Sequence, residues 1–190
     1  MKLILASNSP RRRELLAGLD VPFEVRVLPD VSESCPDSLP VRQHAQYIAE
    51  EKAAAYDVKA GELLLTADTI VVVGDEILGK PVDEADARRM LQLISGREHL
   101  VVTGVCLKTN TEKSAFSVET TVTFKTLTSS EIDYYIQRYR PMDKAGAYGI
   151  QEWIGYVGVT RLEGSYFNVM GLPVQRIYSD PLFRRAMELE

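Results

Sequence analysis

The sequence predicts an α/β protein, and three observations lead to that class. Short apolar runs such as Leu3–Leu5 and Leu63–Ala67 have the length and composition of buried strands. Stretches with apolar residues at helical spacing alternate with them along the chain. Turn signals at Gly74-Asp75 and Asn110-Thr111 join neighbouring runs as hairpins. With 190 residues, 45% of them apolar and 26% charged, the chain can bury a full core as one domain over 1–190, or one domain with two lobes. No internal repeat or low-complexity segment interrupts it.

The opening strand runs into Ala6-Ser7-Asn8-Ser9, and Pro10 stands where a helix begins, with Ser9 as its cap. Leu15, Leu16 and Leu19 give that helix an inward face and Gly18 a stop. Its first turn carries Arg11, Arg12 and Arg13 at the positive end of the helix dipole, where each cation costs roughly 0.3–1 kcal/mol. An anion would relieve that cost. Backbone N–H groups, serine hydroxyls and guanidinium forks together make a receptor for phosphate oxygens. Arg13 taken alone is equally readable as a solvated surface charge.

Phe23 to Leu28 alternates as a strand, and Pro29 to Pro40 is a polar loop carrying Asp30, Glu33 and Asp37. A long helix is expected over about 40–60, stopped at Gly61, with the stripe Val41, Ala45, Ile48, Lys52, Ala55. Lys52 thus falls on an apolar face, where its ammonium either snorkels outward or points into a site. The strand Leu63–Ala67 is expected to end at Asp68-Thr69, ahead of Ile70–Val73, the arm Glu76–Leu78 and Gly79-Lys80-Pro81. An aspartate inside such an apolar stretch is hard to explain as surface. In open α/β sheets ligands gather at strand ends, so Asp68 reads as held for chemistry.

Asp83 caps a helix to about Ile94, with Ala87, Met90, Leu91 and Ile94 inward and Gly96 beyond it. His99–Lys108 and Ser117–Leu127 read as two longer strands. Thr128-Ser129-Ser130-Glu131 is a capping box for a helix carrying Ile132, Tyr135, Ile136 and Tyr139 on one side. Asp143-Lys144-Ala145-Gly146-Ala147-Tyr148-Gly149-Ile150-Gln151 sets small residues beside ionic and amide groups, the pattern of a backbone pressed close to a ligand. Gln151 offers both a donor and an acceptor, as a base edge requires. Ile154–Leu162 reads as a strand and Gly164-Ser165 as a turn. Tyr178 falls in a last helix that Pro181 interrupts.

The formal charge of −5, without aromatics interleaved among the arginines, argues against a nucleic-acid binder. Cys35 and Cys106 match no metal or redox spacing and suit a reducing compartment. No apolar run reaches membrane-spanning length or builds a signal peptide, so the expectation is a soluble, cytoplasmic protein. The chemical inventory is Arg11, Arg12, Lys52 and Lys80 as cations and Glu33 and Asp68 as acids; His44 and His99 read as structural. No phosphate-binding glycine loop, dinucleotide fingerprint or serine elbow is present. Clustered cations with two carboxylates fit phosphoryl chemistry, in which a carboxylate holds a metal or activates water and cations neutralise a polyphosphate. A nonenzymatic nucleotide-binding regulator would need the same cations, but not Asp68 beside Glu33 and a metal.

Ser7-Asn8-Ser9-Pro10-Arg11-Arg12 with Glu14-Leu15-Leu16, Glu51-Lys52-Ala53, Ala67-Asp68-Thr69, Gly79-Lys80-Pro81 and the Asp143–Gln151 stretch resemble the motifs of the Maf family. Ser95-Gly96 with His99, Glu119-Thr120-Thr121-Val122-Thr123-Phe124 and Gly171-Leu172-Pro173 match as well, so the resemblance runs in order over nearly the whole chain. It implies a nucleoside triphosphate pyrophosphatase that cuts between the α and β phosphates with a divalent cation such as Mg, Mn or Co. It implies also an elongated mixed sheet flanked by helices, with a deep cleft between two lobes, related to the inosine triphosphate pyrophosphatases, and a homodimer. The Gly-Ile-Gln ending resembles the subgroup acting on dTTP and UTP rather than its sister acting on 7-methylguanosine triphosphate. The resemblance makes Asp68 the catalytic acid, as water-activating base or metal ligand, and Glu33 a second metal ligand. Ser9, Arg11, Arg12, Lys52, Thr69 and Lys80 would bind the substrate, and Gln151 would read the pyrimidine.

Overall fold

The structure, a computed structural model, describes residues 1–29, 31, 34–36 and 38–189. Its strands are β1 (Lys2–Leu5), β2 (Phe23–Val25), β3 (Glu62–Val73), β4 (Glu76–Leu78), β5 (Glu98–Lys108), β6 (Lys113–Phe124) and β7 (Val159–Glu163). The helices are α1 (Pro10–Ala17), α2 (His44–Ala54), α3 (Glu84–Ile94), α4 (Ser129–Tyr139), α5 (Trp153–Gly158), α6 (Tyr166–Met170), α7 (Val174–Tyr178) and α8 (Pro181–Ala186). The strands bond in the order β2-β1-β3-β5-β6-β7, with β4 on β3. The sheet is mixed: β1 runs parallel to β2 and β3, whereas β3–β4 and β6–β7 are antiparallel. The predicted α/β class is the observed one.

The chain divides into two compact units, one of Met1–Asp68, Thr103–Val118 and Gly171–Glu190, the other of Thr69–Val102 and Glu119–Met170. The first is built on β1, whose Leu3, Ile4 and Leu5 are buried. On this layer α2 lays Ala49 and Ala53 against Ile4, Leu64, Cys106, Tyr56 and Val58. Lys108 Nζ donates to the carbonyls of Ala53 and Tyr56, both at 2.9 Å, and so satisfies acceptors that the end of α2 leaves open.

Two expectations are corrected in this unit. The helix expected over about 40–60 is a 3-10 turn, Val41–Gln43, followed by α2 alone. The chain leaves the helix at Ala55 because Tyr56 turns inward, its hydroxyl donating to Arg26 O and accepting from Leu28 N. The strand expected to reach Leu28 stops at Val25, since β1 offers no residue past Leu5 to pair with. Beyond it, Arg26 grips Glu62 with two hydrogen bonds of 3.0 and 2.6 Å. That bidentate contact, with the Lys59 N–H behind it, holds the Glu62 carboxyl down at about 2.

The second unit has its own core, in which Ala87, Met90, Leu91 and Ile94 of α3 meet Ile132, Tyr135 and Ile136 of α4 over Val71, Leu78, Val101, Val122 and Phe124. Both helices begin as predicted: Asp83 accepts from Asp86 N at 2.7 Å, and Thr128 with Glu131 closes a capping box. The strand expected over Ile154–Leu162 is instead α5 followed by β7. Gly155 lets that helical turn tuck under the Ile150 carbonyl, where a Cβ would lie 1.7 Å from the oxygen, and β6 pairing begins only at Val159. Pro181, expected to break the last helix, starts α8 in the first unit, where Asp180 caps Leu182 N at 2.9 Å. Proline suits that place, because its missing N–H would be unsatisfied in any case.

Candidate active site

The first turn of α1 is assembled as its sequence dictates. Ser9 is the N-cap, its Oγ accepting from Arg12 N at 3.4 Å, while its own N–H donates to the buried Ser7 Oγ at 3.2 Å. Acidic residues are absent from that turn, so the side chains of Arg11 and Arg12 keep the electropositive character the sequence announced. Arg12 Nε donates to the Gly171 carbonyl at 2.9 Å, which fixes the plane of its guanidinium. That contact gives the Gly171-Leu172-Pro173 stretch a role the sequence did not suggest. Arg13 is exposed and, among the described residues, reaches only back to Asn8 Oδ1, 3.4 Å away, in keeping with a surface charge.

Sixteen residues apart, Lys52 on α2 and Asp68 on β3 meet at 2.8 Å between Nζ and Oδ1. Their side chains are 14% and 15% exposed, so the pair is largely withdrawn from water yet reachable. The two readings of Lys52 are resolved: its ammonium points at the carboxylate and does not snorkel. Asp68 does not end a strand, as expected, because β3 continues through it to Val73. It falls instead between two ladders, the parallel one of β1 on Glu62–Leu65 and the antiparallel one of β4 on Val71–Val73. An interval between two partners exposes a side chain within a long strand as a terminus would.

In the second unit, Thr69 follows Asp68 on β3 and is half-buried. Lys80 is exposed and has no ion pair among the described residues. Its neighbour Gly79 accepts from Gly146 N at 3.0 Å, which ties the Lys80 segment to the stretch ending in Gln151. That stretch contains a 3-10 turn, Ala145–Ala147, with Gly146 and Ala147 both at positive φ, 68° and 58°. Gly146 also abuts Val71, where a Cβ would stand 3.0 Å from a side-chain methyl. Gln151 is half-buried, and its Oε1 is buried without a hydrogen-bond partner among the described residues. Glu33 lies outside the described residues.

The remaining nucleophiles and bases are occupied structurally. His99 is buried against Tyr148, Nε2 and the hydroxyl 2.6 Å apart, and burial pulls its pKa down to about 4. His44 Nε2 sits 2.8 Å from the Leu39 carbonyl oxygen. Burial raises both thiols, Cys106 to about 11 and Cys35 less, where the Asp68 charge adds to the effect. Neither is a poised thiolate.

A family model described as "Maf-like protein" matches residues 2–180. The chain belongs to the Maf-like family. This Maf-like chain is 57% identical over 181 residues to the dTTP/UTP pyrophosphatase of Phocaeicola vulgatus, covering 94% of both chains. To the dTTP/UTP pyrophosphatase of Porphyromonas gingivalis it is 53% identical over 183 residues, covering 94% of this chain and 92% of that one. Among solved structures it is loosely similar to the nucleoside-triphosphatase, dITP/XTP pyrophosphatase, of Mycobacterium abscessus. There the identity is 17%, the TM-score 0.40, and 74% of this chain and 96% of that one are covered, a likeness too loose to carry an argument.

The residues of this Maf-like chain fit a hard divalent cation. The second oxygen of Asp68 has no hydrogen-bond partner among the described residues. Magnesium-like ions take one or two protein carboxylates and complete their shell with water and substrate phosphate. Among the described residues no three His, Cys, Asp or Glu side chains converge. Also among them, no helix is long and apolar enough to cross a membrane.

Proposed function

We propose that this protein is a nucleoside triphosphate pyrophosphatase that hydrolyses dTTP and UTP between the α and β phosphates, giving the nucleoside monophosphate and pyrophosphate. The substrate class follows its relatives named dTTP/UTP pyrophosphatase, which match over nearly the full chain. The observation that carries the chemistry is the Lys52–Asp68 pair.

In this reading the side chains of Ser9, Arg11 and Arg12 bind phosphate oxygens, with Thr69 and Lys80 as further substrate contacts. Lys52 holds one oxygen of Asp68 and leaves the other either to accept a proton from water as the α–β anhydride opens or to hold a metal. A preorganised cation beside developing phosphate charge acts more strongly in a water-poor site than in bulk solvent. When bound, a divalent cation held by Asp68, with Glu33 as a proposed second ligand, would neutralise triphosphate charge. Gln151 supplies the hydrogen bonds that read the base. A homodimer and a cytoplasmic location belong to the same reading.

The test is a panel of dTTP, UTP, CTP, dGTP and 7-methylguanosine triphosphate, each incubated with Mg, Mn or Co and assayed for pyrophosphate. Pyrophosphate from dTTP and UTP with the matching monophosphate is the expected result. Release of orthophosphate, a preference for 7-methylguanosine triphosphate, or no turnover with any metal would overturn the assignment.

A further inference from the structure

Two ionisable side chains, Tyr135 and Lys144, converge on a third, Glu152, which follows Gln151, and the reaction as described uses none of the three. Tyr135, on α4, is fully buried, and its hydroxyl donates to Glu152 Oε2 while accepting from Gly149 N at 2.9 Å. Glu152 Oε1 faces Lys144 Nζ at 3.2 Å, and Lys144 also holds Asp143 Oδ1 at 2.8 Å. The Lys144 side chain is only 9% exposed. The residue after Gln151 and the second residue before it are therefore both bonded to one phenol. The start of the same loop is locked to the residue after Gln151 by an ion pair.

Packing ties this network to the carboxamide itself. A Cβ on Gly149 would stand 3.1 Å from Gln151 Nε2, from Glu152 Cδ and from Lys144 Cε, so all three side chains press on one bare backbone position. Lys144 offsets the Glu152 charge, which would otherwise stand next to the base-reading amide. Burial, with Glu152 beside it, raises the Tyr135 phenol far above its ordinary range, so it remains a donor at working pH. Nor is the Glu152 side chain spent on capping: it stands at the N-cap of α5 but its carboxylate accepts no helix N–H there. We infer that Tyr135, Glu152 and Lys144 are positioning residues that hold the Gln151 carboxamide in its base-reading orientation, and so set base selectivity without touching the substrate. The inference rests on the function proposed above, in which Gln151 reads the base.

A purely structural network would lower activity on all triphosphates alike, and the test exploits that difference. Tyr135→Phe keeps the ring and removes the two hydrogen bonds; Glu152→Gln keeps the shape and removes the charge. For each, kcat/KM is measured with dTTP and with dGTP, in the wild-type background and again in Gln151→Ala, alongside thermal unfolding. The expected result is a fall of at least tenfold in the dTTP-to-dGTP ratio, carried mainly by KM for dTTP. In the Gln151→Ala background the same substitutions leave the ratio unchanged, because the residue they act through is gone. Equal losses on both nucleotides in active protein, or full additivity with Gln151→Ala, overturn the inference alone. Wild-type protein that releases no pyrophosphate from dTTP or UTP overturns the proposed function and this inference with it.

Discussion

Gly104 of β5 lies against the backbone of Ala45 on α2 so closely that a Cβ there would come within 2.2 Å of the Ala45 carbonyl carbon and oxygen. Helix and strand touch main chain to main chain, and Thr66 Oγ1 adds a 2.6 Å hydrogen bond to the Ala49 carbonyl one turn further on. Both contacts fix α2 just ahead of Lys52, and so fix the ammonium that Asp68 receives.

Gly104→Ala is therefore expected to act on catalysis through geometry. Overpacking of a tight core contact costs about 1–3 kcal/mol, and here the obstacle is backbone that cannot rotate away. Thermal unfolding should shift down, and kcat measured below the transition should fall at least tenfold as Lys52 moves off Asp68. Full turnover in folded Gly104→Ala protein would show that the pair tolerates displacement of its helix.

Asp68→Asn is the sharper test of the chemistry. The amide is close to isosteric, but it is a poor proton acceptor and removes the negative charge from the contact with Lys52. We expect a loss of about a hundredfold or more in pyrophosphate release from dTTP, the scale of removing one well-placed polar group from such a site. A cooperative unfolding transition should be retained, because Ala49, Ala53 and Thr66 still dock α2. Near-wild-type turnover would remove Asp68 from the mechanism.

Much of this site was legible because it rests on local rules. The Ser9 cap, the arginines in the first turn, the Asp83 cap and the Thr128 capping box are written in neighbouring residues, and each forms as read. The helical stripe likewise placed Lys52 on the face that meets Asp68, although α2 is shorter than its pattern. What the sequence hid depends on partners far away. Nothing near Arg12 announces the Gly171 carbonyl, nothing near Gly104 announces Ala45, and the carbonyls at the end of α2 are satisfied by a lysine on β5. Asp68 looked like a strand end because hydropathy does not record where one strand changes partners.

Acid sensitivity should separate into two ranges. The Arg26 contact lowers the Glu62 carboxyl from 4.5 to about 2, so the folded state holds fewer protons than the unfolded one between those values. Its contribution is complete above about pH 4.5 and is lost as pH falls towards 2. Burial keeps His99 neutral down to about 4, so its share is complete above about 6.5 and is lost between there and 4. Melting temperature followed from pH 7 to 2 checks both: Glu62→Gln should lie below the wild type near neutrality and converge with it at the acid end. A constant gap across that range would mean that the Arg26–Glu62 pair does not link protonation to folding.

Gln151 gives a prediction in which stability and function part company. A buried acceptor without a partner costs the folded protein about 1–3 kcal/mol, and the Gln151 Oε1 is such an atom among the described residues. A nucleotide base that donates to it would recover the loss, which makes the group useful only with substrate bound. Gln151→Ala should then melt at the same temperature as the wild type or higher, while its kcat/KM for dTTP falls towards that for dGTP. Phosphate binding, measured as inhibition by inorganic tripolyphosphate, should change little, because the groups proposed to hold phosphate oxygens are Ser9, Arg11 and Arg12. Equal losses for pyrimidine and purine triphosphates would remove Gln151 from base recognition, and a large drop in melting temperature would make its role one of packing.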